Sequence, residues 1–216
     1  MSDFQRKIRL HKCHNMATEI ADHLILDPAV FDAIATTERE LFVPSGMRHH
    51  AYTLDALPLA GNQFISSPLT VAHMSQALEP AGCDNILEIG CGSGYQAAVL
   101  SKLARRIFTI ERIEILLREA KARFEHLGIR NIHTRFDDGQ RGWRDFAPFE
   151  RILFSASATQ IPQVIFDQLA NGGILVAPME KGKEQIITRF IKEEDGIKKE
   201  EIKSCLFVPV VDGVSH

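Results

Sequence analysis

Five residues, Gly90-Cys91-Gly92-Ser93-Gly94, present the first chemistry legible in this chain. Glycines at alternate positions permit a tight turn and let backbone N–H groups approach a ligand closely. Glu111 sits in "FTIER", at the carboxyl end of a strand, where a carboxylate can accept both hydroxyls of a ribose. Asp138 lies in "FDDGQRGW", a glycine-bounded turn whose carboxylate could accept an adenine amino hydrogen. Together the loop and the two acids describe a nucleoside site. A dinucleotide fingerprint would require glycine at its sixth position, and Tyr95 stands there, which disfavours a nicotinamide or flavin cofactor.

A second group of chemical interest is "NQFISSPLT", residues 62–70. Pro68 suits the first turn of a helix through "LTVAHMSQAL", and Ser67 before it is a good N-cap. Ser66 then falls just outside, at the positive helix end that favours an anion such as a substrate carboxylate. The stretch lacks the glycines of a G-x-S-x-G elbow, which argues against a serine nucleophile.

These residues need elements to hold them. "NILEIG" is a short apolar run closed by glycine, followed by a helical "YQAAVLSKLA" and the β-rich "RIFTI". Ile113, Leu116, Leu117, Ala120, Phe124 and Leu127 recur every three or four residues and predict an amphipathic helix that stops at Gly128. "NIHTRF", "RILFSA", the helix "PQVIFDQLA", a glycine turn "NGG" and the strand "ILVAPM" continue the alternation, so a parallel, doubly wound sheet is expected. Glu111, Asp138, Ser155 and Ala156 all fall at the carboxyl edge of that sheet, where ligands bind. "QIITRFIKEEDGIKKEEIKSCLFVPV" predicts two strands around a charged turn, an antiparallel edge. Upstream, residues 3–42 read as helical, with a helix start at Asp27-Pro28, and residues 43–67 as a long irregular loop.

With 216 residues, 45% of them hydrophobic, the chain can build one sizeable core. Its net charge of −3 and scattered basic residues exclude the field that nucleic-acid binding requires. The four cysteines form no C-x-x-C pair, which fits reduced thiols in a cytoplasm. No apolar run is long enough for a membrane span or follows a signal-peptide pattern. His11, Cys13 and His14 do not share one helix face well, so no metal site is expected. His49, His50 and His73 read as structural, and Trp143 with Phe146 as packing beneath the cofactor turn.

The segments "ERELFVP", "AY", "LPLAGNQFISSP", "LEIGCGSGYQAAVL", "DDGQRGW", "APFERILFSASATQIP", "QLANGGILVAPM" and "FVPVVDG" run in one order across about residues 37–213. In them the chain resembles the protein-L-isoaspartate O-methyltransferases, a class I S-adenosylmethionine-dependent family. The resemblance implies an α/β, Rossmann-like, mostly parallel sheet in a single domain over residues 1–216. Residues 1–67 would form a helical cap and active-site loop, 68–180 the cofactor-binding core and 181–216 the C-terminal strands. It implies methyl transfer from S-adenosylmethionine, leaving S-adenosylhomocysteine, to the α-carboxylate of L-isoaspartyl residues in damaged proteins; a monomer is expected separately. Ser66 would be the catalytic residue, orienting the acceptor with Ile65, Ser155 and Ala156. Glu88, Gly90, Cys91, Gly92, Ser93, Gly94, Tyr95, Glu111, Asp138 and Gly139 would bind the cofactor. The chain departs from the common family pattern at Ala60, Ser67 and Asp137, where glycine, glutamine and glycine are usual. Two alternatives stand beside this reading: methylation of another carboxylate or small molecule, and a nucleoside-binding module without turnover.

Overall fold

The structure, a computed structural model, describes residues 3–216. The N-terminal cap is two helices, α1 (Asp3–Ala21) and α2 (Pro28–Ala35). They are separate because Pro28 starts a new first turn, with the Asp27 carboxylate accepting from the Ala29 N–H at 2.8 Å. The expected loop contains short 3-10 turns and a small hairpin of β1 (Leu57–Pro58) and β2 (Phe64–Ile65). Helix α3 (Pro68–Leu78) follows, capped by the Ser67 hydroxyl, which accepts from the Thr70 N–H at 3.1 Å. Ser67→Ala is therefore expected to cost about 1 kcal/mol of stability. Denaturant unfolding measures it, and the variant should keep wild-type affinity for S-adenosylhomocysteine.

The central sheet comprises β3 (Asn85–Ile89), β4 (Arg106–Glu111), β5 (Ile132–Phe136), β6 (Phe149–Phe154), β7 (Leu169–Lys181), β8 (Glu184–Glu193) and β9 (Gly196–Cys205). Their spatial order is β5-β4-β3-β6-β7-β8-β9; β3 to β7 pair in parallel, and β8 and β9 add the antiparallel edge. Every residue of β3 is buried, Asn85 and Glu88 included, as a strand in the middle of a sheet covered on both faces requires. The order reverses at β3, whose neighbours are β4 and β6, and this opens a crevice beyond the carboxyl ends of those strands.

Helices α4 (Tyr95–Leu100) and α5 (Glu114–His126) link β3 to β4 and β4 to β5, while α6 (Gln163–Asp167) precedes β7. The buried face of α5 is formed by Leu116, Leu117, Ala120 and Phe124, as the periodicity predicts. Two helices are shorter than their patterns: α4 gives way to turns at Ser101, and α6 has five residues. The expected "NGG" turn is absorbed as an irregularity within β7, where β6 advances from Phe149 to Arg151 while β7 advances from Leu169 to Ile174.

One apolar cluster, with Ile20, Ile34, Met74, Val99 and Ile107, joins the cap to one sheet face; the other, with Leu87, Phe108, Phe149 and Ile165, fills the opposite face. Trp143 packs against the second, its ring 5.6 Å from that of Phe108, and the more exposed Phe146 stacks on Phe108 at 4.4 Å. Cys13 is buried and donates to the Thr37 carbonyl, while His14 packs edge-on to Phe31 and His11 lies 3.4 Å from Asn15.

Candidate active site

A cleft opens at the switch point of the sheet. The glycine loop brings Gly90 to Ser93 to one wall, β4 brings Glu111, the turn after β5 brings Asp138 and Gly139, and the end of β6 brings Ser155 and Ala156. Ile65 and Ser66 close it from the β2–α3 junction, with Ser66 half-buried one residue before the cap of α3. Segments far apart in sequence thus meet in one site.

Glu111 is nearly enclosed and joins two walls: Oε2 accepts from the Gly92 N–H at 2.7 Å and Oε1 from the Ile113 N–H at 2.9 Å. Burial pushes its pKa up against the pull of these N–H donors. An ionised carboxylate can accept about four hydrogen bonds, so the two backbone donors leave capacity for a pair of hydroxyls. Asp138 holds its own turn, Oδ1 accepting from Gln140 N–H at 3.0 Å, and receives the Gly213 N–H on Oδ2 at 2.9 Å. The remaining charged residue of the lining, Arg112, donates from Nε to the Gly213 carbonyl at 2.8 Å. With carboxylates outnumbering cations, the lining suits a cationic sulfonium nucleoside better than a pyrophosphate.

Of the residues expected to bind the cofactor, Glu88 and Gly94 do not line the cleft, while Tyr95 does. Glu88 lies below the cleft, fully buried, accepting from the hydroxyls of Thr109 at 2.6 Å and Ser155 at 3.2 Å. Ser155, one of its two hydroxyl donors, itself lines the cleft. Gly94 does not line the cleft; it has φ +86°, and a Cβ there would lie 2.6 Å from the Phe124 ring. Tyr95 borders the cleft, but its ring packs on Phe42 and beneath the Arg39 guanidinium, 4.9 Å from its carbon.

Desolvation pushes the Glu88 carboxyl up to about 8 from an ordinary 4.5. The folded state therefore binds more protons than the unfolded chain between about pH 4.5 and 8, and stability falls as pH rises through that window. Glu88→Gln removes the titrating group, so its stability relative to wild type should rise from pH 5 to pH 8. Unfolding curves at the two pH values measure this; a difference independent of pH would refute it.

Sequence reasoning missed the far wall. Residues Phe207 to Val211, after β9, return across the cleft. Ser157 N–H donates to the Val208 carbonyl at 2.8 Å and Val210 N–H to the Ser157 carbonyl at 2.7 Å. Beyond them the Ser215 N–H donates to the Arg112 carbonyl at 2.7 Å, tying the tail to the end of β4. The apolar "FVPVV" following a charged hairpin was the available signal.

Residues 11–215 match the family model described as protein-L-isoaspartate(D-aspartate) O-methyltransferase. The chain belongs to that family. A protein-L-isoaspartate O-methyltransferase of Helicobacter pylori strain J99 is 54% identical over 204 residues, 94% of this chain and 98% of that protein. One of Desulfosudis oleivorans is 46% identical, covering 89% and 87%. The fold is shared with a solved Plasmodium falciparum methyltransferase in complex with S-adenosyl-L-homocysteine, at TM-score 0.82, 19% identity and coverage of 92% and 98%. Against the family pattern, neither Ala60 nor Asp137 adopts a positive φ, so neither position needs glycine here. Asp137 instead pairs with Arg135 at 2.6 Å.

Proposed function

We infer that this chain is a protein repair methyltransferase. It transfers a methyl group from S-adenosylmethionine to the α-carboxylate of L-isoaspartyl residues in damaged proteins. The resulting ester closes to a succinimide that reopens in part to aspartate. The observation that carries the reading is the family match over residues 11–215. The cleft fits it, since the glycine loop, Glu111 and the acceptor-side Ser66 share one space.

S-adenosylmethionine supplies the electrophilic methyl group when bound. Glu111 would hold the ribose hydroxyls, Asp138 the adenine edge, and Gly90 to Ser93 the close backbone approach. The acceptor carboxylate is ionised at neutral pH, with an ordinary pKa of about 4, so no base is required. Ser66 would donate its hydroxyl to that carboxylate at the positive end of α3, aiming one oxygen along the transfer line. Ser155 and Ile65 would border the acceptor, and the Phe207–Val211 tail would exclude water from the reacting atoms.

The reading extends to a monomer in the cytoplasm. All four cysteines are unpaired, as a reducing compartment favours, and no helix among the described residues is long and apolar enough to cross a membrane. Transfer of labelled methyl to an isoaspartyl peptide and its aspartyl counterpart tests the function; labelling of the aspartyl peptide alone, or of neither, would overturn it. Ser66→Ala should lower kcat/KM for the isoaspartyl peptide about 10- to 100-fold, the loss of one hydrogen bond to a charged group. Its affinity for S-adenosylhomocysteine should stay at the wild-type value; wild-type turnover would remove Ser66 from the mechanism.

A further inference from the structure

Residues 212–216, beyond the far wall of the cleft, bond to the loops that carry both acids of the cofactor end. On the β4 side, Ser215 N–H donates to the Arg112 carbonyl at 2.7 Å and Glu114 N–H to the Ser215 carbonyl at 2.9 Å, while Arg112 Nε donates to the Gly213 carbonyl at 2.8 Å. Ser215 thus forms a parallel bridge with Ile113, whose own N–H is a donor to Glu111 Oε1. On the β5 side, Gly213 N–H donates to Asp138 Oδ2 at 2.9 Å, and Gln140 Nε2 donates to the Asp212 carboxylate. His216 completes the set, with Nδ1 3.0 Å from Glu114 Oε2 and its ring edge-on to Phe136, the last residue of β5.

Glu111 and Asp138 stand on different chain segments. Sheet hydrogen bonding carries as far as Asp137 N–H on the Glu111 carbonyl at 3.2 Å, and residues 212–216 bond to both segments past that point. The tail has no apolar anchor there: every residue from Val211 to His216 is exposed, and neither Val211 nor Val214 packs on an apolar cluster. Its hold is a set of solvent-exposed hydrogen bonds, each contributing little net against water, so it opens locally without the sheet. We propose that residues 212–216 are a positioning clasp for the cofactor. Closed, the clasp fixes the Asp138 carboxylate and the Arg112–Glu114 turn relative to each other, so the ribose and adenine acids are ordered before the ligand arrives; its opening sets the rate at which S-adenosylhomocysteine leaves. The inference rests on the cofactor roles given above to Glu111 and Asp138.

The test compares the full chain with a chain ending at Val211, which keeps every residue lining the cleft, and with Asp212→Ala and Asp212→Asn. Asparagine retains an oxygen to accept from Gln140, and alanine does not. Stopped-flow displacement reads the dissociation rate of S-adenosylhomocysteine, calorimetry its Kd, and thermal unfolding of the ligand-free proteins their stability. The shortened chain should release the ligand about tenfold faster and bind it about tenfold more weakly, close to 1.4 kcal/mol. Asp212→Ala should show a change of about threefold, the loss of one exposed hydrogen bond, and Asp212→Asn should stay near wild type. A lowered Tm with wild-type dissociation in the shortened chain, the mark of a purely structural tail, would overturn the proposal, as would equal dissociation rates in the two Asp212 variants. Should the shortened chain fail to fold, the Asp212 pair decides. Glu111→Ala separates the two readings: weaker binding there with unchanged binding in the clasp variants removes the clasp alone, whereas unchanged binding in all of them removes the cofactor assignment as well.

Discussion

Glu111→Ala is expected to raise the dissociation constant for S-adenosylhomocysteine by about 100-fold. Two hydroxyl hydrogen bonds to a carboxylate contribute roughly 1.5 kcal/mol or more each, and about 3 kcal/mol corresponds to that factor. The effect has two parts, because the same carboxylate receives the N–H groups of Gly92 and Ile113 and so holds the glycine loop against the start of α5. Alanine removes the ribose acceptors and leaves those two donors without their partner. Calorimetric titration reads the sum, and unfolding of the ligand-free variant reads the loop contribution. A change below about threefold, less than one weak hydrogen bond, would show that Glu111 does not contact the ligand.

The second large effect concerns a residue that the motif assigns to the cofactor and the fold assigns to packing. Gly94→Ala is expected to destabilise the protein by roughly 2–5 kcal/mol, combining left-handed backbone strain with overpacking. Gly94 has φ +86°, and an added Cβ would meet Phe124 Cζ at 2.6 Å and Ala120 Cβ at 3.3 Å. Phe124 is buried in the helix-side cluster, so its ring has little room to retreat. The companion substitution Phe124→Leu should recover the steric part but not the backbone part, and a double-mutant cycle in denaturant separates them. Additive single effects would remove the contact from the explanation.

All five residues from Gly90 to Gly94 read alike as a ligand-approaching turn, since glycine spacing encodes only backbone freedom. In the fold, Gly90 to Ser93 face the cleft, whereas Gly94 admits a helix from thirty residues downstream. Glu88 presents the same problem. A glutamate in "LEIG" can point to the ligand or into the sheet, and only strand pairing on both sides of β3 decides that it sits below, beside Thr109 and Ser155.

The sequence by itself determined the parts whose physics is local. Ser67 with Pro68 and Asp27 with Pro28 begin helices because a cap needs only the next three residues. The α5 face, the buried β3 run and the charged β8–β9 hairpin follow from hydrophobic period and charge over a few turns or strands. The alternation of these elements, with the family motifs, also placed Glu111 and Asp138 at one sheet edge. Tertiary structure alone decided which atoms share the cleft. It sank Glu88, assigned Gly94 to Phe124, turned the Tyr95 ring toward Arg39 and brought residues 207–211 back over the site. Those outcomes depend on contacts between segments distant along the chain, where burial and strand pairing decide among orientations that are locally equivalent.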